Sequence, residues 1–199
     1  MHMKNIVVFA SHNGSDLQAV IDGCREGKIA GRVAAVISNN NDAYALKRAG
    51  IAGIDGFCLN SALYPDETLF DRKTLEVLEK YDADIIFLAG YLKKIGPLVL
   101  QKYENRIFNI HPALLPKYGG RGMYGMNVHK AVIEAGEEFT GVTIHKVTAD
   151  YDAGGIVKQA KIPVLKDDTP GTLAARVLEL EHRFIVEVLS EICLNENYL

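Results

Sequence analysis

The chain is poor in cysteine, and its few cysteines are badly placed for cross-linking. Cys24, Cys58 and Cys193 are odd in number, lie far apart and form no C-x-x-C pair. That argues against a disulfide framework or a zinc ribbon and makes a reducing cytoplasm the expected setting. No apolar stretch approaches the ~20 residues a membrane-spanning helix needs. The opening segment is too short for a signal peptide before it meets a turn, and His2 carries no role. Charge of either sign is also scarce in excess. A net charge of −3 gives no strong field to favour nucleic acid or an acidic membrane. Histidines and acids never adopt a spacing such as H-E-x-x-H, so no metal is expected. A G-x-S-x-G elbow is missing, and no cysteine has a histidine close by, which argues against covalent catalysis. The full G-x-G-x-x-G fingerprint of dinucleotide sites is missing too.

What is present fits one domain, residues 1–199, with a sizeable core: 199 residues, 48% of them apolar. Apolar runs and helical stripes alternate from the start. Strands are expected at Asn5–Ala10, Arg32–Ser38, Gly53–Leu59, Ile85–Ala89 and Ile107–Ile110. Leu17, Val20, Ile21 and Cys24 recur at helical spacing, as do Phe70, Thr74, Val77 and Leu78. Repeated βα units of this kind predict an α/β fold with a parallel sheet and helices on both faces. The later part differs. Val142–Val147 and Ile156–Val164 flank a short Asp/Gly loop and read as an antiparallel pair. Thr169-Pro170 then opens a last helix, with Thr at the cap and Pro at the first helical position. Its stripe is Leu173, Val177, Leu180, Phe184, Val188 and Ile192.

Chemistry gathers around Asn109-Ile110-His111-Pro112, where a buried strand ends. Residues two apart in a strand share a face, so Asn109 and His111 converge on one group. Asp152, in the loop between the last two strands, is placed to orient His111 and raise its pKa. An amide, an imidazole and a carboxylate suit acid–base work and stabilisation of an oxyanion. The bland alternatives are a structural histidine and a plain turn aspartate. Asn13-Gly14-Ser15-Asp16, between the first strand and first helix, is either a capped turn or a phosphate cradle at a helix start. Asp16 speaks against a polyphosphate. His129 reads as a surface or first-turn residue. His145 reads as a satisfied core group or a supporting partner, and His182 as solvent-facing or structural. Glu181 is equally well explained by solvation. The segment 117–125, with Gly119, Gly120, Gly122 and Gly125, reads as a tolerated surface insertion slightly better than as a lid.

Asn109-Ile110-His111-Pro112-Ala113-Leu114-Leu115-Pro116-Lys117-Tyr118, Asp152 in a D-x-G-x-I loop, and Asn13-Gly14-Ser15-Asp16-Leu17-Gln18 together resemble the folate-dependent phosphoribosylglycinamide formyltransferases, over nearly the whole chain and in order. The resemblance implies a Rossmann-like formyltransferase fold: a mostly parallel twisted sheet with an antiparallel C-terminal portion. It implies formyl transfer from 10-formyltetrahydrofolate, the co-substrate, to glycinamide ribonucleotide in purine synthesis. Asn109, His111 and Asp152 would then be catalytic. Asn13, Gly14, Ser15, Asp16 and Glu181 would hold the ribonucleotide, by its phosphate at the helix start and its ribose at Glu181. Leu92, Lys93, Lys94 and Ile95, with Asn109 and Asp150, would hold the folate. Residues 1–105 would form the phosphate side and 106–199 the catalytic and folate side. Partners would be small molecules, with no nucleic acid or membrane and a homodimer left open. This sequence departs from the family's habit at Asp16 (often Asn), His12 (often Gly) and Ala113 (often Ser), and its glycine loop looks longer. A formyltetrahydrofolate deformylase, methionyl-tRNA formyltransferase, nicotinamide dehydrogenase or non-catalytic nucleotide-binding module are the competing readings. The tRNA enzyme usually carries an additional domain.

Overall fold

The strand runs that read as continuously apolar are buried on both faces of one sheet. The computed structural model describes residues 3–195 and 198, so His2 lies outside the described residues. β1 (Lys4–Phe9), β2 (Gly31–Ser38), β3 (Asp55–Cys58), β4 (Ile85–Leu88), β5 (Ile107–His111), β6 (Phe139–Lys146) and β7 (Ile156–Pro163) form a seven-stranded sheet in the order β3-β2-β1-β4-β5-β6-β7. The pairs from β3 to β5 are parallel, and β5–β6 and β6–β7 are antiparallel. The expected Rossmann-like fold is therefore present, antiparallel portion included.

Period-two alternation divides the core. Ile6, Val8, Ile85, Phe87, Phe108 and Ile110 join one apolar layer with α1 (Ser15–Arg25) and α6 (Pro170–Leu194). Val7, Phe9, Ile86, Leu88 and Ile107 join the other, under α3 (Glu67–Lys80) and α4 (Pro97–Lys102). Each such fully buried side chain contributes roughly 1.5–3 kcal/mol. Asn109 and His111 follow Ile107 in register, which sends both to that second face. α6 starts as anticipated: Thr169 accepts from the Thr172 N–H, with Pro170 in the first turn.

Three helices were not anticipated: α2 (Tyr44–Ile51), α4 and α5 (Met126–Glu134), apart from a helix-like run at His129. α2 holds only Ala45 and Ala49 fully buried, so it presents no large apolar stripe to read. α4 is set by a remote residue: buried Asp71 accepts from Leu98 N–H at 2.7 Å. β6 begins at Phe139, ahead of the expected Val142, because Thr140 and Gly141 pair with β7 without reading as an apolar run. The strand order reverses at β1, between β2 and β4. In open α/β sheets ligands bind at the carboxyl ends of strands beside such a reversal. Among the described residues, no helix is long and apolar enough to cross a membrane.

Candidate active site

A cavity of about 500 Å³ opens at the carboxyl ends of β4 and β5, within the usual range for small-molecule sites. Its walls come from distant parts of the chain. Asp16 stands on α1 and Leu92–Ile95 follow β4; Asn109 and His111 end β5. The glycine loop, the Asp150–Asp152 loop, and Leu178 with Glu181 on α6 complete it. The ends of β1, β2 and β4 are tied together: Ser11 Oγ accepts from Leu92 N–H at 2.9 Å and donates to Asn39 at 2.5 Å.

Asn109, His111 and Asp152 do meet. His111 is 4% exposed, with Nδ1 3.6 Å from Asp152 Oδ2. Its Nε2 donates to the Tyr118 carbonyl at 2.7 Å. The imidazole is therefore held by the backbone carbonyl, while Asp152 faces the other nitrogen just beyond hydrogen-bond length. Burial lowers the His111 pKa, and the pull of Asp152 upward does not overcome it. That corrects the expectation of a raised pKa: desolvation outweighs the carboxylate, and the resting imidazole is neutral near pH 7. Asp152 itself lies below its ordinary value. Burial pushes it up, but contacts from His145, the Gly120 N–H at 2.8 Å and His111 outweigh that.

His145 joins the site as a supporting partner. Its Nδ1 donates to the Lys146 carbonyl at 2.8 Å, and its Nε2 lies 3.0 Å from Asn109 Nδ2. That contact holds the Asn109 amide in place at the end of β5. His145 Nε2 also lies 3.4 Å from Asp152 Oδ1. The turn after β5 is braced by Thr143, paired opposite His111, whose hydroxyl donates to the Ala113 carbonyl at 2.6 Å. Asp152 adopts a left-handed φ of 53°. Gly154 lets its loop close on β6, since a Cβ there would lie 1.8 Å from the Lys146 carbonyl oxygen.

The other end of the cavity carries acids. Glu181 is 8% exposed, not solvated. Burial, then the nearby charge of Asp16, raises its pKa well above the ordinary carboxylate value. Asp16 is also raised by burial, partly offset by His182, whose Nε2 is 3.4 Å from Asp16 Oδ1. Neither of those two atoms has a hydrogen-bond partner among the described residues.

Of the expected phosphate segment, only Asp16 lines the cavity. Gly14 caps α1 in the left-handed region, and a Cβ on it would meet Ala45 at 2.8 Å. Asn13 is held by Arg48 on α2, through its carbonyl at 2.9 Å and its side-chain oxygen at 2.8 Å. Sequence reading missed Arg48, a cation beside the helix start, because it missed α2. Leu92, Lys93, Lys94, Ile95 and Asp150 all line the cavity. Lys94 bridges two walls by donating to the Ala149 carbonyl at 2.8 Å.

Two expectations change. The glycine loop is a wall of the cavity rather than a surface insertion, and it touches both His111 and Asp152. His129 stands in the first turn of α5, one of the two places expected for it, but it is 5% exposed and so not on the surface. Its pKa is lowered by burial and by His111. Among the described residues no cluster of histidine, cysteine or acid is arranged to hold a metal ion.

The profile of the formyl transferase family matches residues 4–189. The chain is 42% identical over 191 residues to the chloroplastic phosphoribosylglycinamide formyltransferase of Arabidopsis thaliana, covering 96% of this chain and 65% of that protein. The match thus spans slightly under two thirds of that relative's length. It is 40% identical to phosphoribosylglycinamide formyltransferase of Escherichia coli K12, covering 94% of this chain and 85% of the relative. Among solved structures, glycinamide ribonucleotide transformylase 1 from Symbiobacterium toebii superposes with a TM-score of 0.90 at 43% identity, covering 97% of this chain and 89% of that one.

Proposed function

This chain belongs to the formyl transferase family, and from that premise we propose that it moves the formyl group of 10-formyltetrahydrofolate to the amine of glycinamide ribonucleotide, a step of purine synthesis. The observation that carries the reading is the convergence of Asn109, His111 and Asp152 at the end of β5, inside one cavity. The residues present suit a flat folate ring. Leu92, Ile95 and Val147 supply apolar wall, while the loops around Lys94 and Asp150 offer polar backbone. The folate supplies an activated formyl carbon. Asn109 Nδ2 donates to the formyl oxygen as charge develops on it; one such donor accounts for roughly 3 kcal/mol of barrier. Neutral His111 accepts the proton that the attacking amine loses, on Nδ1. It then delivers that proton to the departing folate nitrogen. Asp152 stabilises the imidazolium formed between those two transfers. Asp16 and Glu181 face the ribose, and the start of α1, at Asn13, Gly14 and Ser15, takes the phosphate.

We further propose that residues 1–199 act as one domain in the cytoplasm, on small molecules alone. Phosphate falls to the part before residue 106, and catalysis with folate to the part after it. That boundary is blurred by Leu92–Ile95 and Glu181, which cross it. The test is absorbance of the folate during turnover. Formyl loss should require glycinamide ribonucleotide. Turnover that ignores the ribonucleotide would identify a hydrolase, and none at all a binding module.

A further inference from the structure

The only hydrogen bond of the His111 ring, among the described residues, is the one Nε2 donates to a backbone carbonyl on a loop. That carbonyl belongs to Tyr118, whose φ of 57° lies in the left-handed region that a bulky residue rarely adopts. Something must hold the loop there. The same residue's hydroxyl donates to Glu137 Oε1 at 2.8 Å. Lys117 Nζ donates to the same oxygen, also at 2.8 Å. Glu137 is itself fixed by the end of α5: Gly136 turns the chain with φ 63°, and the Glu137 N–H reaches back to the Val132 carbonyl. Two residues beyond Tyr118, the Gly120 N–H holds Asp152. One short segment therefore grips both partners of the His–Asp pair and is anchored from behind.

We propose that Glu137 is a positioning residue: through the Tyr118 hydroxyl it keeps the Tyr118 carbonyl on His111 Nε2, which fixes the Nε2–H tautomer and leaves Nδ1 as the working nitrogen. The proposal rests on the reading of His111 as the proton carrier, but its structural half does not need that reading. The charged and titratable groups facing His111 are Asp152 from the β6–β7 loop, His145 from β6 and His129 from α5. Asp152 faces Nδ1, and among the described residues the carbonyl is the hydrogen-bond partner of Nε2, one that favours the protonated ring.

The experiment compares Glu137→Ala, Tyr118→Phe and their double variant with Glu137→Gln, which keeps an acceptor oxygen for the hydroxyl. Glu26→Gln, on a remote exposed ion pair, is the control. Nitrogen-15 NMR of the His111 ring is read first. The wild-type neutral ring should carry its proton on Nε2, and both single variants should show averaged nitrogens. In formyl transfer, both should lose about tenfold in kcat with KM for each substrate unchanged, as small misplacements of a catalytic group do. The acidic limb of kcat should move to lower pH. The double variant should be no worse than either single one, as members of one chain of contacts behave. Glu137→Gln should keep most of the rate. A wild-type ring protonated on Nδ1, or variants with an unchanged His111 spectrum, would overturn the proposal even in a protein that proved not to transfer formyl groups. An unchanged spectrum in variants whose rate still fell would assign the loss elsewhere and overturn it equally.

Discussion

The two ends of the cavity solve opposite problems. Around His111, the three groups of the proposed chemistry have partners on the protein: the imidazole a carbonyl, the Asn109 amide His145, and Asp152 a backbone N–H; of the groups facing them, only the buried Nδ1 of His129 has none among the described residues. Around Glu181, two acids sit close together, and buried atoms of Asp16 and His182 have no hydrogen bond among the described residues. Buried polar groups are nearly always paired, and exceptions call for a reason. On the proposed function the difference separates chemistry from recognition: groups that must be aligned to fractions of an ångström would be held by the fold, and those that would meet a substrate's hydroxyls keep their hydrogen-bonding capacity unspent.

The largest test of that contrast is removal of the aligned groups. His111→Ala and Asp152→Ala should each lower kcat by at least about a hundredfold, and Asn109→Ala by a similar factor. Unfolding midpoints in urea should change little, since none of the three fills the apolar layers. If KM rose instead while kcat held, the two ends would have exchanged roles. Glu181→Gln should do the reverse: KM for the ribonucleotide up about tenfold, from the loss of a carboxyl hydrogen-bond acceptor, with KM for the folate unmoved. Kinetics with each substrate varied separately decide it.

The smallest effect is on stability against pH, and its sign differs at the two ends. The folded His111 pKa lies below the ordinary 6.5, so the unfolded chain takes up that proton first. Its contribution is complete above pH 6.5 and is lost as pH falls below it. Folded Glu181 lies above the ordinary 4.5, so its proton is held more tightly in the folded state. Stability on its account falls as pH rises above 4.5. Urea melts between pH 4.5 and 7 should show His111→Asn flattening one slope and Glu181→Gln the other. Equal slopes in wild type and both variants would remove the electrostatic half of the comparison.

How far the sequence alone reaches follows from the range of each interaction. β1, β2, β4 and β5 are legible because burial on both faces demands unbroken apolar runs. Asn109 and His111 are legible as a pair because a strand alternates. Asp152 could be named as a loop acid, but its meeting with His111 depends on β6 and β7 folding back. The role of His145 depends on which β5 residue its strand is paired with, which no local pattern encodes. Tyr118 acts through its carbonyl, which every residue possesses, so no side-chain reading singles it out. Arg48 was hidden with α2, whose small alanine contacts give no stripe. The pKa of His111 was misjudged because a charge partner is visible in sequence and desolvation is not.

Asp16 and Glu181 stand on α1 and α6, which pack against each other on one face of the sheet. A ribonucleotide held by both would act as a clamp between two helices far apart in sequence. Substrate then enters the folding equilibrium itself, at hundredfold excess over Kd adding about 2.7 kcal/mol to the native state. On the proposed function, a starved cell would hold the same polypeptide in a more easily unravelled form, and its abundance would follow the supply of that ribonucleotide.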